Sequence, residues 1–190
     1  DGSLLLLDAG DAWQDFRRLL PVVWGGAEMV EWMNRVGYDA MALGNHETYL
    51  GPRQLTRLAV QADFPVLCAN LRPVRTEGLP FPAAVRRLVG GVPVLLVGLI
   101  TEELLPYVEF PTLLAVPAVR AVQDTIDRLG RNGDLIVVIA HLPIAVATRI
   151  ASDVPDIDVF ITGHSHEMTT TPVRVGDTLV VQSGAFARRL

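Results

Sequence analysis

At 190 residues, half of them hydrophobic and 19% charged, the chain is long enough for one domain with a sizeable buried core. A net charge of −5, with sixteen scattered arginines and no lysine, offers no basic footprint, so nucleic acid and anionic lipid are not expected partners. The longest apolar run, Val92 to Ile100, is nine residues broken by Pro93 and Gly98, well short of the roughly 20 needed to span a membrane, so no membrane insertion is expected.

In chain order, buried strands are expected at Leu4 to Leu7, Ala40 to Leu43, Pro65 to Cys68, Val92 to Leu99, Leu135 to Ala140 and Ile157 to Ile161. Their near-continuous apolar character suits a sheet covered on both faces. Between them, Ala27 to Arg35 carries Met29, Val30 and Met33 on one helical face and stops at Gly37. Pro52 to Gln61 and Pro117 to Leu129 open on proline, and the second places Val119, Val122, Ile126 and Leu129 on one stripe. Trp24 and Trp32 read as core or helix-packing residues, not a base platform, and the stretch from Arg72 to Pro82 as a long surface loop. Two hairpins are expected across Gly90-Gly91 and Gly176-Asp177. Strands alternating with helices define an α/β chain with a largely parallel sheet. Cys68, the single cysteine, excludes an internal disulfide and reads as a small core residue. The first strand begins within three residues of the start, with no initiator methionine or signal-peptide pattern, so both termini are expected to be trimmed.

All four histidines fall inside three short segments: Gly44-Asn45-His46-Glu47, Ala140-His141 and Gly163-His164-Ser165-His166. A fourth segment, Asp8-Ala9-Gly10-Asp11, follows the first strand. Each lies just beyond the carboxyl end of an expected strand, where ligands bind in open α/β sheets, so segments spread from position 11 to 166 converge in space. Carboxylate, amide oxygen and imidazole suit hard to borderline divalent metals, and a carboxylate can bridge two cations about 3.5 to 4 Å apart. No thiolate cluster is present, which argues against a structural zinc. Glycines ahead of Asn45 and His164 are expected to turn the chain sharply off each strand. The reaction expected of such a centre is hydrolysis at phosphorus by a water acidified from a pKa of 15.7 to about 7.

The joined set, with Asn45 34 positions after Asp11 and His164 23 positions after His141, resembles the calcineurin-like metallophosphoesterases, and more narrowly their 5'-nucleotidase branch. That resemblance implies a four-layer α/β/β/α sandwich and a centre of two divalent cations, Mn, Zn or Fe. Carried over by position, Asp11 is the bridging carboxylate, Asn45, His141 and His164 complete one metal, and His166 serves the other. His46 matches the catalytic histidine that steadies the phosphoryl group and assists the leaving oxygen. Trp13-Gln14, Cys68-Ala69-Asn70 and Val181-Gln182-Ser183-Gly184 match scaffold near the site. The resemblance further implies a small-molecule phosphate ester as partner, nucleotides among them, and a periplasmic or secreted location; it does not fix the oligomeric state.

Three departures qualify the match. Family members begin with Asp-x-His on a first strand, which is absent here, so residues 1–190 are expected to form a catalytic domain lacking its first strand and helix. One metal site then keeps four ligands and the other only Asp11 and His166. Tyr49 stands where the branch has an aspartate that orients the catalytic histidine; it reads as a packing residue, with Asp15 as an alternative carboxylate. The C-terminal domain that grips the nucleobase in 5'-nucleotidases is also absent from this sequence. Two other readings therefore stand beside the phosphohydrolase: an inactive or partial homologue holding at most one metal, and a sulfur-ester hydrolase of the sulfate thiohydrolase kind, which shares Trp-Gln after its Gly-Asp.

Overall fold

The computed structural model describes residues 4–13, 25–73, 81–102, 113–131 and 133–186. Eleven strands are seen among them: β1 Leu7–Asp8, β2 Ala40–Ala42, β3 Val66–Leu67, β4 Leu71–Pro73, β5 Ala84–Val89, β6 Val92–Ile100, β7 Leu113–Ala115, β8 Leu135–His141, β9 Val159–Thr162, β10 Val173–Val175 and β11 Thr178–Val181. The helices are α1 Ala27–Val36, α2 Asn45–Thr48, α3 Gly51–Gln61, α4 Ala118–Leu129 and α5 Ile144–Asp153. No helix among the described residues is long and apolar enough to cross a membrane.

Strands β1, β2 and β3 form a small parallel sheet in that order. A six-stranded sheet runs β10-β11-β9-β8-β6-β5, parallel in its middle and closed at each edge by an antiparallel hairpin. The side-chain period of two then sorts the core into layers. In β6 and β8, Val94, Leu96, Val137 and Ile139 face Ala40, Ala42 and Leu67 of the small sheet. Leu95, Val97, Leu99, Ile136, Val138 and Ala140 face the opposite way, onto Val122 and Ile126 of α4 and Ile150 and Ala151 of α5. On the outer side of the small sheet, Met41 and Leu43 pack with Val30 and Met33 of α1 and Leu55 and Leu58 of α3. Helices, small sheet, large sheet, helices: the four-layer sandwich implied by the resemblance is the observed architecture.

Several expectations need correction. The first strand is confined to Leu7–Asp8, because the chain before it spends its backbone bonds on Asp39, with Leu6 N–H donating to its carboxylate at 2.7 Å, and Leu4 is exposed. Met29 turns to solvent beside the buried Val30, since α1 is seated by Val30 and Met33 alone. Trp32 is 48% exposed, its ring 6.0 Å from that of Tyr38 at the surface, and so is not a core residue. Helix α5 was not anticipated: its β-branched, alanine-rich segment has only Ala147, Ile150 and Ala151 buried, too weak a stripe to announce a helix. The start of the expected loop at Arg72 is instead strand β4, paired antiparallel with β7. Trp24 and the rest of that loop up to Leu79 and Pro80 lie outside the described residues.

The two sheets meet closely because the facing positions are small. Gly98 continues the Val94, Leu96 face of β6, and a Cβ there would stand 2.3 Å from Leu67 Cβ and 2.4 Å from its carbonyl oxygen. Both partners belong to a buried strand and cannot swing aside, so Gly98→Ala must push the sheets apart. We expect it to lower unfolding free energy by about 3 kcal/mol, measured by urea denaturation, while an alanine at the open turn glycine Gly91 (φ 88°) meets no atom and costs only its backbone strain, about 1 kcal/mol.

Candidate metal centre

The parallel strands aim their carboxyl ends at one place. Just past β1 the chain turns through Ala9 and Gly10 to Asp11, β2 leads through Gly44 into Asn45 at the head of α2, β8 ends on His141 itself, and β9 leads to His164. Asp11 takes a left-handed backbone conformation (φ 65°) that puts its carboxylate across the gap between the sheets. Its Oδ1 accepts the His46 N–H at 2.8 Å, and its Oδ2 lies 2.9 Å from His141 Nε2 and 3.7 Å from His46 Nε2.

His141 is buried and has a fixed orientation. Its Nδ1 faces the Ala9 carbonyl at 2.8 Å, an acceptor only, so Nδ1 carries a proton and Nε2 is turned to the site. His164 Nδ1 is 3.1 Å from that Nε2, with the two rings edge-on at 4.8 Å. Burial disfavours charge on both Asp11 and His141, yet each outweighs it for the other: Asp11 is held below the usual carboxylate range and His141 above the usual imidazole range. Nearby, Asp8 accepts the Gly10 N–H at 2.8 Å, and burial pushes its carboxyl up to about 6.

Asp11, His141 and His164 bring one ligand atom each within 4.8 Å of one another. Beside them Asn45 is 1% exposed, and its Oδ1 has no hydrogen-bond partner among the described residues. A buried acceptor left bare costs about 1 to 3 kcal/mol, a cost that a cation at that oxygen removes. Carboxylate, amide oxygen and two imidazoles form a donor set that fits one hard to borderline divalent cation. His166 stands apart from this cluster. It is exposed, left-handed (φ 59°), and its ring meets that of Phe186 edge-on at 5.0 Å.

The glycines behave differently from each other. At Gly44 a Cβ would lie 2.3 Å from both the Asp11 nitrogen and Oδ1, so only glycine lets the two loops touch. After Gly163, by contrast, the sharp turn is taken by His164 itself, at φ 72°, a strained conformation for a side-chain-bearing residue and one typical of functional sites.

Of two further site residues, Glu47 has no role assigned from sequence and Gln182 is matched there only as scaffold. Glu47, fully buried, accepts three backbone N–H groups: Gly44 at 2.9 Å, Asp11 at 2.9 Å and Trp13 at 2.8 Å. Burial, then the Asp11 charge, push its carboxyl up to about 7 against the pull of the Trp13 and Asp11 N–H groups. Its place three residues into the helix after Gly44 is the available signal, since that position reaches back to the helix start. Gln182, buried at the end of β11, grips the histidine loop: its carbonyl accepts His166 N–H at 3.1 Å and Glu167 N–H at 3.2 Å, while its amide donates to Ser165 Oγ at 3.2 Å. Asn70 ties the chain after β3 to β6 through bonds of 2.8 and 2.9 Å with Ile100, and Cys68 is a core thiol that burial pushes up to about 12. Gln14 and Asp15 lie outside the described residues. Tyr49 sets its ring 5.2 Å from that of His46.

Fold and site together define a metallophosphoesterase-type α/β/β/α sandwich with a cluster between its two sheets that could hold a metal ion. Comparison with known proteins places it more narrowly. The chain is 35% identical over 178 residues to human 5'-nucleotidase, covering 89% of this chain and 30% of that protein, and 34% identical over 185 residues to the snake venom 5'-nucleotidase of Naja atra, covering 89% of this chain and 33% of that protein. Among solved structures, the 5'-nucleotidase precursor of Thermus thermophilus is 30% identical with a TM-score of 0.81, covering 95% of this chain and 39% of that one. The sulfate thiohydrolase SoxB of Thermus thermophilus is 27% identical with a TM-score of 0.85, covering 95% and 34%. No family model matches the chain. Over 89% of its length the chain is thus similar to 5'-nucleotidases, and it spans about a third of the length of the curated relatives it matches.

Because three buried N–H groups depend on it, Glu47→Ala is expected to cost about 3 kcal/mol in urea unfolding. Glu47→Gln, which keeps an acceptor oxygen for the paired Gly44 and Asp11 donors, should cost less than half of that by the same measurement.

Proposed function

We propose that the chain is the metal-binding catalytic domain of a phosphoric ester hydrolase acting on small phosphate esters, nucleotides among them. The observation that carries this is the convergence of Asp11, His141 and His164 within 4.8 Å beside the bare side-chain amide oxygen of Asn45. Asp11, Asn45, His141 and His164 would hold one divalent cation, Mn, Zn or Fe, and Asp11 with His166 would contribute to a second. Such cations supply Lewis-acid charge for the phosphoryl oxygens and acidify a water for attack.

The chain's own residues set up the rest. The Ala9 carbonyl fixes the His141 tautomer, and Glu47 holds the Asp11 loop against α2. His46, with Nε2 3.7 Å from Asp11 Oδ2, presents an imidazole edge to the same space and is the group to steady the phosphoryl oxygens and donate a proton to the departing oxygen.

The test is turnover of a panel of phosphomonoesters and diesters with Mn, paired with Mn binding by calorimetry. His141→Ala should abolish both Mn binding and turnover. His46→Ala should keep Mn binding and lose about 10² to 10⁴ in kcat. Chelation should remove activity and added Mn restore it. No turnover with two Mn bound would refute the reading. No turnover with at most one Mn bound would leave the partial homologue as the better account.

A second reading has a specific observation in its favour: the structural likeness to a sulfate thiohydrolase at a TM-score of 0.85. We propose sulfur-ester hydrolysis as the alternative chemistry of the same site, distinguished by including S-sulfonated thiols in the panel.

A further inference from the structure

We infer that Gln182 is a positioning residue for the candidate metal centre, its side-chain amide holding the loop of His164 and His166 in the course that brings His164 to the cluster. The inference deepens the metal-centre reading and rests on it.

Past the end of β9 at Thr162 the chain has only two residues in which to bring His164 to the gap at Asp11. It turns there through two left-handed residues, His164 at φ 72° and His166 at φ 59°, with Ser165 between them. Neither is glycine, so each conformation costs free energy and persists only where surrounding bonds enforce it. Three such bonds come from the side chain of Gln182, the residue that follows β11 and is 2% exposed. Its oxygen accepts the His166 N–H at 3.1 Å and the Glu167 N–H at 3.2 Å, and its amide nitrogen donates to Ser165 Oγ at 3.2 Å. The Ser165 hydroxyl in turn donates to the Glu167 carboxylate at 2.6 Å. The Gln182 backbone is sewn to the next stretch of the loop, its N–H donating to Thr169 Oγ1 at 3.0 Å and its carbonyl accepting the Thr169 N–H at 3.0 Å.

Two backbone donors need an acceptor, and beside them a hydroxyl whose proton is already given to Glu167 needs a donor. An amide supplies both at once, which an ionised carboxylate of the same length does not. The loop so held reaches the cluster at His164, whose Nδ1 lies 3.1 Å from His141 Nε2. Removing the amide leaves two N–H groups without their acceptor and lets the segment relax toward right-handed backbone, which carries the His164 ring away from that contact.

The test compares three variants of the full chain. Gln182→Met keeps length and burial and removes both hydrogen-bonding functions. Gln182→Glu keeps an oxygen for the two N–H groups. Thr178→Val removes a buried bond at the opposite end of the same strand, from the Thr178 hydroxyl to the Ile157 carbonyl at 2.6 Å, and so reports what plain loss of a hydrogen bond does. Zinc affinity is measured by calorimetry against a competing chelator. The four imidazoles of the metal-free chain are followed in a long-range nitrogen–proton correlation spectrum, each histidine assigned by its loss on replacement with glutamine. We expect Gln182→Met to bind zinc about 10-fold more weakly than the parent or worse, the usual consequence of removing a group behind metal ligands, and to displace the His164 and His166 signals with that of His46 unmoved. Gln182→Glu should return those signals toward the parent's. Thr178→Val should unfold at lower urea yet bind zinc as the parent does. Parent-like zinc affinity in Gln182→Met, an equal loss of affinity in Thr178→Val, or displacement of His46 along with the other histidines would overturn the inference. Should the parent bind no zinc, the metal-centre reading fails by itself, and the spectrum still decides the loop: unmoved His164 and His166 signals in Gln182→Met overturn the positioning role.

Discussion

The site depends on one carboxylate that lies outside the candidate ligand set. Glu47 gathers the backbone N–H groups of Gly44, Asp11 and Trp13 around two oxygens, and in doing so clamps the loop after β1 to the helix after β2. Without that clamp, Asp11 could not sustain a left-handed backbone, because the strain has to be repaid by bonds that the conformation alone permits. The close approach it enforces also dictates composition. Gly44 has no room for a Cβ, and Gly10 would drive one to within 2.8 Å of the Gly44 backbone. A carboxyl accepting several backbone donors in a buried place is a structural device whose effect is chemical: it sets where the second carboxylate, Asp11, points.

Asp11 then joins two sheets that share no strand. The small sheet contributes Asp11 and Asn45, the large one His141 and His164, and contact between Asp11 Oδ2 and His141 Nε2 at 2.9 Å crosses the seam. Such reach is possible only where the sheets lie close, and the seam is lined by Ala40, Ala42 and Gly98 opposite larger aliphatic residues. Small residues deep between the sheets and ligands at the strand ends are thus parts of one arrangement. A side chain that widened the seam would reach the candidate metal ligands through the strands.

Much of this was legible from residues. The apolar runs located the strands because a sheet covered on both faces leaves little alternation to misread, and the glycine-flanked motifs sit after them as expected. What was not legible has physical reasons. The assignment of alternate β6 and β8 residues to two different neighbours needs the second sheet, which periodicity does not reveal. Helix α5 hides because a short, half-buried helix of alanine and β-branched residues carries little stripe, and β1 shrinks because Asp39 competes for its backbone. Trp32 lies at the surface, where its ring meets that of Tyr38, which in turn meets the buried Phe64. Glu47 and Gln182 act through backbone groups, and backbone partners leave no mark on a sequence beyond the identity of one polar residue.

The site is uneven, and the unevenness follows from what supports each ligand. His141 is the last residue of a strand paired to Ile100, has its tautomer set by a carbonyl, and is buried. His164, two residues past the end of β9, leans on it. His166 is a further two residues out, exposed, and its backbone is held by the amide of Gln182 while its ring rests on Phe186, itself half-exposed and left-handed. Precision therefore falls along the Gly163-His164-Ser165-His166 segment as distance from the sheet grows. The inner cluster is preorganised by strands, tautomer and burial, and the outer histidine is not. A cation at the inner cluster would meet side chains already aimed, whereas His166, its ring against Phe186, has no comparable support from strand, tautomer or burial.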